Sequence, residues 1–231
     1  MMTMQPRDTA SEPFKFCTSL ILEESTGLRA STLGMLAKLL RSVPEAAIYH
    51  HTHDFLLQHH YLTPEPTNDF AYWVTHVLAE EALGEQLASV DILEHHSLQS
   101  LREALAVAVE TYLQQTPSAR LKFVSPGEEF FFVKSVQVIL PTQYVATTLQ
   151  EFGDILARVS VRCLYYHIFN ARLRLGRSTN DFSLWVGEQL GRHELAAHLA
   201  HLDPYAHTLD ALRSIILSLI HRELEPNARV V

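Results

Sequence analysis

Apolar and polar residues alternate in two segments of the chain, one near its start and one after position 129. The first alternation covers residues 14–22, and the second covers residues 130–140, where aromatic and β-branched side chains dominate. A period of two is typical of a strand with one buried face, and these residue types favour strands. The pattern therefore predicts one strand in each segment.

The apolar positions after the first strand change to spacings of three and four. Leu33, Leu36 and Leu40 form a one-sided stripe, which predicts an amphipathic helix. Pro44 then suits the first turn of a second helix, because its missing amide proton is not needed there. We predict that this second helix runs over residues 45–61.

A heptad with two aromatic residues, NDFAYWV, begins the next predicted helix at Asn68. The Asn68 side chain is expected to cap that helix by accepting a free backbone amide. Asp69 suits the positive end of the helix dipole. Two further helices are predicted over residues 81–90 and 98–113.

The same order of patterns occurs twice along the chain. NDFAYWV at Asn68 returns as NDFSLWV at Asn180. A shift of 116 positions aligns residues 14–51 with 130–167 without a gap, and shifts of 112 and then 111 align the later parts of the two halves. Because the gaps fall only where loops are expected, the sequence indicates a duplicated domain.

These patterns lead to a prediction of the whole fold. We predict a mainly α protein with a small β-sheet, made of two tandem, internally duplicated helical modules related by pseudo-two-fold symmetry. The strands of the modules should pair, because a lone strand leaves backbone groups without partners. The predicted segments are a disordered N-terminus, module one, a linker with a hairpin strand, module two and a tail, at residues 1–13, 14–113, 114–129, 130–224 and 225–231.

Charge and composition narrow the classes of partner. The 231-residue chain has a formal net charge of −8 and no long run of lysine or arginine, so we expect neither nucleic acid nor an anionic membrane as a partner. No apolar run approaches the roughly 18 residues of a membrane span, and the first residues do not resemble a secretory signal. Only two cysteines occur, which is typical of a reducing compartment. We expect a cytoplasmic protein.

Histidine is unusually frequent, with 14 residues, and it concentrates in the segment YHHTHDFLLQHHY at 49–61. On a regular helix His50, His53 and His60 share one face, and imidazoles spaced in this way can begin a zinc, iron or haem site. No H-E-x-x-H or E-x-x-H motif is present, and no cysteine pairs with these histidines. The pattern favours exposed polar histidines, with a transition-metal site at His50, His53 and His60 as the alternative.

Tyrosine, histidine and aspartate recur at matching positions of the two halves. On packed helices such groups are usually satisfied by internal hydrogen bonds. The alternative is a pocket in the cleft between the modules, where buried titratable groups often serve function. The six residues of this candidate pocket are Tyr49, His51, Asp69, Tyr165, His167 and Asp181.

Several motifs of the second half occur together in a known family. They are a Phe-x-Phe…Ser strand, a Thr-x-x-x-Ala-x-Thr-Leu stretch, a Tyr-His pair, an Asn-Asp-Phe-Ser-x-Trp stretch and a later Leu-Asp-Pro-Tyr stretch, at Phe130, Phe132, Ser135, Thr142, Ala146, Thr148, Leu149, Tyr166, His167, Asn180, Asp181, Phe182, Ser183, Trp185, Asp203, Pro204 and Tyr205. The chain resembles a bacterial and archaeal family of unknown function that carries this signature. The first half departs from the signature, since Ala71 stands in place of Ser183 and Ile92 in place of Pro204.

The resemblance also implies a biological setting. Members of this family are sometimes encoded beside, or joined to, glycosyltransferases of the trehalose-synthase kind. That association implies an accessory role near carbohydrate metabolism. The family has no established catalytic residues, so the resemblance implies none for this chain.

Two functions of different classes remain as hypotheses. The first is an accessory or interaction protein without catalytic activity, which binds a protein partner or a second copy of itself and, by the resemblance, a glycosyltransferase. No cofactor is expected in that case. The second is an enzyme or metal-binding protein that uses the histidine-rich helix or the inter-module cleft, with a transition metal as cofactor. The absence of G-x-S-x-G, P-loop and G-x-G-x-x-G motifs favours the first.

Overall fold

The structure is a computed structural model, and it describes residues 6–55, 67–92, 94–176, 179–202 and 207–225. Its two strands are β1, Phe14–Ala30, and β2, Phe130–Ala146, each 17 residues long. They pair in an antiparallel two-stranded sheet. Both strands begin with buried phenylalanines, as the alternation predicts, and both become exposed over their middle residues.

Contact clustering divides the chain into two compact units. We call residues 21–137 the central unit, and residues 1–20 together with 138–231 the terminal unit. Each strand therefore begins in one unit and ends in the other. The chain order is terminal, central, terminal.

The predicted fold class is wrong. About 56% of the described residues are helical and the sheet consists of two long antiparallel strands, so the fold is mixed α/β. Alternation of apolar residues ends near position 22, because Glu23, Glu24 and Ser25 follow, yet β1 continues to Ala30. Sequence reasoning thus underestimated the strands. Compact units in the order terminal, central, terminal are also not two modules in tandem.

The helices of the central unit begin where the apolar spacing predicts. Leu33, Leu36 and Leu40 are fully buried on the first of them, and Thr32 caps it by accepting the Met35 amide. The first helix packs against the fifth, and the third against the fourth. These helices are α1, Leu33–Leu40; α2, Glu45–Tyr49; α3, Asp69–His76; α4, Glu81–Ala88; and α5, Leu98–Gln115.

The described part of the terminal unit contains six α-helices. Its first helix has a capping box, in which the Thr148 hydroxyl accepts the Glu151 amide and the Glu151 carboxylate accepts the Thr148 amide. The last helix packs against the first two. The helices are α6, Leu149–Leu156; α7, Val161–Tyr165; α8, Ala171–Leu175; α9, Asp181–Glu188; α10, His193–Ala200; and α11, Leu209–Leu224.

Two segments outside these elements were predicted as a disordered terminus and a linker. In the first, the amides of Arg7 and Ala10 donate to Leu190 and Thr147 carbonyls of the terminal unit. In the second, Pro117–Leu121 forms a 3-10 helix, and residues 122–125 have no regular structure. Within the described residues no helix is long and apolar enough to cross a lipid bilayer.

Asn68 and Asn180 cap helices α3 and α9, which confirms the predicted role of the repeated heptad. The Asn180 side-chain oxygen accepts the Ser183 amide at 2.9 Å, and the Asn68 oxygen accepts the Ala71 amide at 2.9 Å. Each side-chain amide also donates to a carbonyl across the unit, Asn68 to Leu87 at 3.0 Å and Asn180 to Leu199 at 2.8 Å. Both asparagines are fully buried. Each asparagine therefore caps one helix and also binds a backbone carbonyl of another helix.

This double role changes the expected effect of glycine at the cap. A simple cap loses only a few tenths of a kcal/mol on replacement by Gly, but Asn180→Gly also leaves the buried Leu199 carbonyl without its donor. We expect both Asn180→Gly and Asn180→Ala to lower the free energy of unfolding by about 2–4 kcal/mol in urea titrations. Thr208, which caps α11 through a single bond to the Ala211 amide, is the control, and Thr208→Gly should cost only a few tenths. Similar small losses at both positions would contradict the second role.

Candidate functional site

A π-helical turn follows α2 and brings the first histidines of the cluster into the protein interior. The turn covers His50–Asp54, and all five of its residues are buried. A π-helix places one extra residue in a turn, and such turns frequently mark functional sites. The expectation that the histidines are exposed and polar is wrong for His50, His51 and His53. Their neighbour His60 lies outside the described residues.

The His51 ring binds two elements of the central unit at once. Its Nε2 accepts the backbone amide of Val133 on β2 at 3.0 Å, so its Nδ1 carries the proton and donates to the Asp69 carboxylate at 2.7 Å. Asp69 is the first residue of α3. Burial lowers the pKa of His51, although the hydrogen bond that His51 donates to Asp69 acts in the opposite direction. The ring is therefore a neutral link between strand, π-helical turn and helix.

His167 makes the same link in the terminal unit. It lies in a second π-helical turn, Tyr166–Asn170, accepts the Cys17 amide of β1 at 2.8 Å through Nε2, and donates to Asp181 at 2.7 Å through Nδ1. Arg174 adds two bonds to the Asp181 carboxylate, at 2.7 and 2.6 Å. Burial again lowers the pKa of His167.

Aromatic rings surround each of these histidines. In the central unit His51 contacts three phenylalanine rings at centroid distances of 4.6–5.9 Å, those of Phe70, Phe130 and Phe132. In the terminal unit Phe14 and Phe182 lie 4.9 and 5.5 Å from His167. This apolar surrounding explains why the neutral form of the rings is favoured.

The remaining residues of the candidate pocket do not join these pairs. Tyr49 stacks on His53 with centroids 5.3 Å apart, and Tyr165 stacks on Phe169 at 4.7 Å. Both tyrosines are buried. Within each unit the structure thus brings histidine and aspartate together and places the tyrosine in a separate aromatic pair.

A second cluster lies beside His51 and contains residues that sequence reasoning missed. The His50 Nδ1 atom is 2.9 Å from the Ser135 hydroxyl oxygen and 3.3 Å from the Asp54 carboxylate. The Ser135 hydroxyl donates to the same Asp54 oxygen at 3.0 Å. Glu23 on β1 brings a second carboxylate, and its oxygen, one from Asp54 and a His50 nitrogen lie within 4.8 Å of one another. The only sequence signal was the i, i+4 spacing of His50 and Asp54.

His53, named with His50 and His60 as a metal ligand, is differently placed. It is absent from the groups of potential metal ligands found among the described residues, whereas His50 belongs to both. Its Nδ1 lies 3.0 Å from the Thr52 hydroxyl. Burial, with a smaller contribution from His95, lowers the pKa of His53 to about 4. In the part of the chain that the structure describes, His53 is packed against Tyr49, and the metal site with His60 stays a prediction because His60 lies outside it.

The middle of the sheet exposes large apolar side chains. Within the terminal unit, Leu20 on β1 is 45% exposed, and Val138, Ile139 and Leu140 on β2 are 41–49% exposed. Since side chains alternate along a strand, Val138 and Leu140 lie on one face and Ile139 on the other. Both faces of this part of β2 are therefore only partly covered within the described residues. We call these four residues the apolar strand surface.

An open cleft also lies in the terminal unit, next to Asp181. It has a volume of about 550 Å³ and is lined by Glu12, Pro13, Phe14, Lys15, Asp181, Leu184, Trp185, Glu188 and Gln189. The Asp181 carboxylate already accepts bonds from His167 and Arg174. The indole of Trp185 donates to the Glu12 carbonyl at 2.8 Å. Asp181 and Trp185, two of the polar side chains that line this cleft, are therefore already used by the fold.

The lowered pKa of His53 makes stability depend on pH. Above pH 6.5 the unfolded and folded chains both hold a neutral ring, and below it the unfolded chain takes up a proton that the folded chain refuses. We expect this residue alone to lower the free energy of unfolding by about 2 kcal/mol between pH 7.5 and pH 5. In urea titrations at the two pH values, the parent protein should lose about 2 kcal/mol more of its free energy of unfolding than His53→Gln does. The exposed His198→Gln should keep the full loss, and equal losses in all three proteins would contradict the assignment.

Comparison with known proteins adds a family and one solved structure. Residues 11–221 match the family of unknown function DUF5752. The structure of OrfY from Thermoproteus tenax is similar with a TM-score of 0.80 at 30% sequence identity, covering 94% of this chain and 98% of that chain. No curated protein matches the chain. Since the family match spans nearly the whole sequence, the chain belongs to the DUF5752 family.

Proposed function

We propose that this protein is an interaction protein that associates with a second copy of itself through the apolar strand surface. The supporting observation is the exposure of Leu20, Val138, Ile139 and Leu140 in the terminal unit. Val138 and Leu140 lie on the same face of β2, and neighbouring exposed apolar side chains are a usual mark of a protein interface. Its burial would contribute favourable free energy in proportion to the apolar area removed from water.

The sheet offers backbone groups as well as side chains. It has two strands, so within the described residues each strand has one edge without a neighbouring strand. At Cys17 the outward amide is already bound by His167. Further along β1, and along the open edge of β2, a strand from another chain can pair with the sheet, which is a common mode of protein association.

A second copy suits this surface for reasons of charge and symmetry. The segments 20–22 and 136–140 contain no charged side chain, so two copies bring no like charges together there despite the net charge of −8. Most homodimers have a two-fold axis, which brings the same surface of both copies together. Here β2 of one copy would lie against β2 of the other. The glycosyltransferase implied by the family resemblance is the rival occupant.

Measurement of the molar mass by light scattering at increasing protein concentration tests this proposal. We expect the mass to approach twice the chain mass of 26.2 kDa. Val138→Lys should raise the dissociation constant by about tenfold or more, because a buried apolar side chain of this size contributes about 1.5–3 kcal/mol.

The control variant is Val107→Lys on α5, since Val107 is 44% exposed against 41% for Val138. It should dimerise like the parent. A parent that stays monomeric at every concentration, or a Val138→Lys protein that dimerises as well as Val107→Lys, would refute self-association through this surface. A monomeric parent that binds a glycosyltransferase would assign the surface to the rival occupant.

A further inference from the structure

We propose that Glu23, His50 and Asp54 of the central unit bind a divalent transition-metal ion. The three side chains bring two carboxylates and one imidazole to one place, on β1 and on the π-helical turn. The Ser135 hydroxyl of β2 lies beside them. This site is separate from the apolar strand surface and does not depend on dimerisation.

The distances within the cluster suit a small ion. His50 Nδ1 and the Asp54 oxygen, two of the three proposed ligand atoms, lie 3.3 Å apart, and the Ser135 hydroxyl oxygen lies 2.9 and 3.0 Å from them. Two ligands of a tetrahedral ion, each about 2.1 Å from it, lie roughly 3.4 Å apart. Glu23, which is exposed, needs a shift of about 1 Å or a little more to complete such a set from the 4.8 Å limit of the cluster.

The buried carboxylate of Asp54 supplies the electrostatic reason. Asp54 is 3% exposed and His50 is 7% exposed, and within the described residues no lysine or arginine forms an ion pair with Asp54. A buried charge is costly unless it is paired or coordinates a metal. Two carboxylates and a neutral imidazole would cancel the charge of a divalent ion.

The π-helical turn of the terminal unit forms with other residues at the positions of His50 and Asp54. It carries Tyr166 and Asn170 where the central turn carries His50 and Asp54. On the strands, Ser19 and Ile139 stand 116 positions from Ser135 and Glu23. The two turns have the same length and the same π-helical form. A π-helical turn of this form therefore does not require a histidine and an aspartate at these two positions.

Geometry also decides against the neighbouring set of His50, His51 and Asp69, which is similarly compact. Both ring nitrogens of His51 are already used, by the Val133 amide and by Asp69. A metal there would have to break a bond to the strand. His50 needs only a change of tautomer to free Nδ1, because a neutral ring can carry its proton on Nε2 instead.

The mixture of donors indicates the class of ion. Imidazole suits zinc, iron, nickel and copper, whereas sites of oxygen alone suit magnesium and calcium. With one nitrogen and two carboxylates, the set suits Zn²⁺ better than Mg²⁺. The Ser135 hydroxyl would orient the Asp54 carboxylate by its hydrogen bond, as outer partners of metal ligands commonly do.

Zinc titration of the full chain, stripped with a chelator and followed by calorimetry, tests the site. We expect one Zn²⁺ per chain, with no competition from an equal concentration of Mg²⁺. Glu23→Gln and Asp54→Asn remove a charge at nearly constant shape and should each raise the dissociation constant at least about tenfold, since even outer partners of a metal contribute 10–100-fold. Glu23 is exposed, so its variant should fold, and a thermal melt of the metal-free protein checks this.

The control is His198→Gln, which removes an exposed histidine on α10 and should bind zinc like the parent. Absence of zinc binding by the parent would overturn the proposal. Unchanged affinity in both Glu23→Gln and Asp54→Asn, or an equal loss in His198→Gln, would place the zinc on surface histidines instead. Equal competition by Mg²⁺ would overturn the assignment to a transition metal.

Discussion

A buried, neutral histidine that bonds a strand amide with one ring nitrogen and an aspartate with the other is the interaction on which each unit depends. His51 joins Val133 to Asp69, and His167 joins Cys17 to Asp181. A neutral imidazole has one donor and one acceptor on opposite sides of a rigid ring. It can therefore satisfy a strand edge and the first residue of a helix together.

This arrangement fixes where other chemistry can occur. Because both nitrogens of each linking histidine are used, neither ring is available as a base or as a metal ligand without loss of a structural bond. The residue before each linking histidine does not join a strand amide to an aspartate in this way. Its identity differs between the units: it is His50 in the central unit and Tyr166 in the terminal unit. The two π-helical turns thus differ in side-chain chemistry at the position next to the linking histidine.

The long strands connect this architecture to the exposed surface. Both strands begin with buried side chains, and Phe16 and Phe132 are fully covered. Leu20 and Val138, nearer the middle of the strands, are 45% and 41% exposed. The outward amide of Cys17 is closed by His167. Edges of a sheet that remain open are natural sites for association, and the uncharged side chains at the middle of β2 favour it.

The sequence by itself determined the helix positions, the Asn68 and Asn180 caps and the buried aromatic faces, because each depends on local spacing and on side chains that bond their own backbone. It did not show the length of the strands, since Glu23 and its polar neighbours hide the alternation, and this made the fold class wrong. Only the tertiary structure brought Glu23, His50, Asp54 and Ser135 together. These residues come from β1, β2 and a π-helical turn, and no periodicity of a single segment can show which side chains meet when distant segments pack.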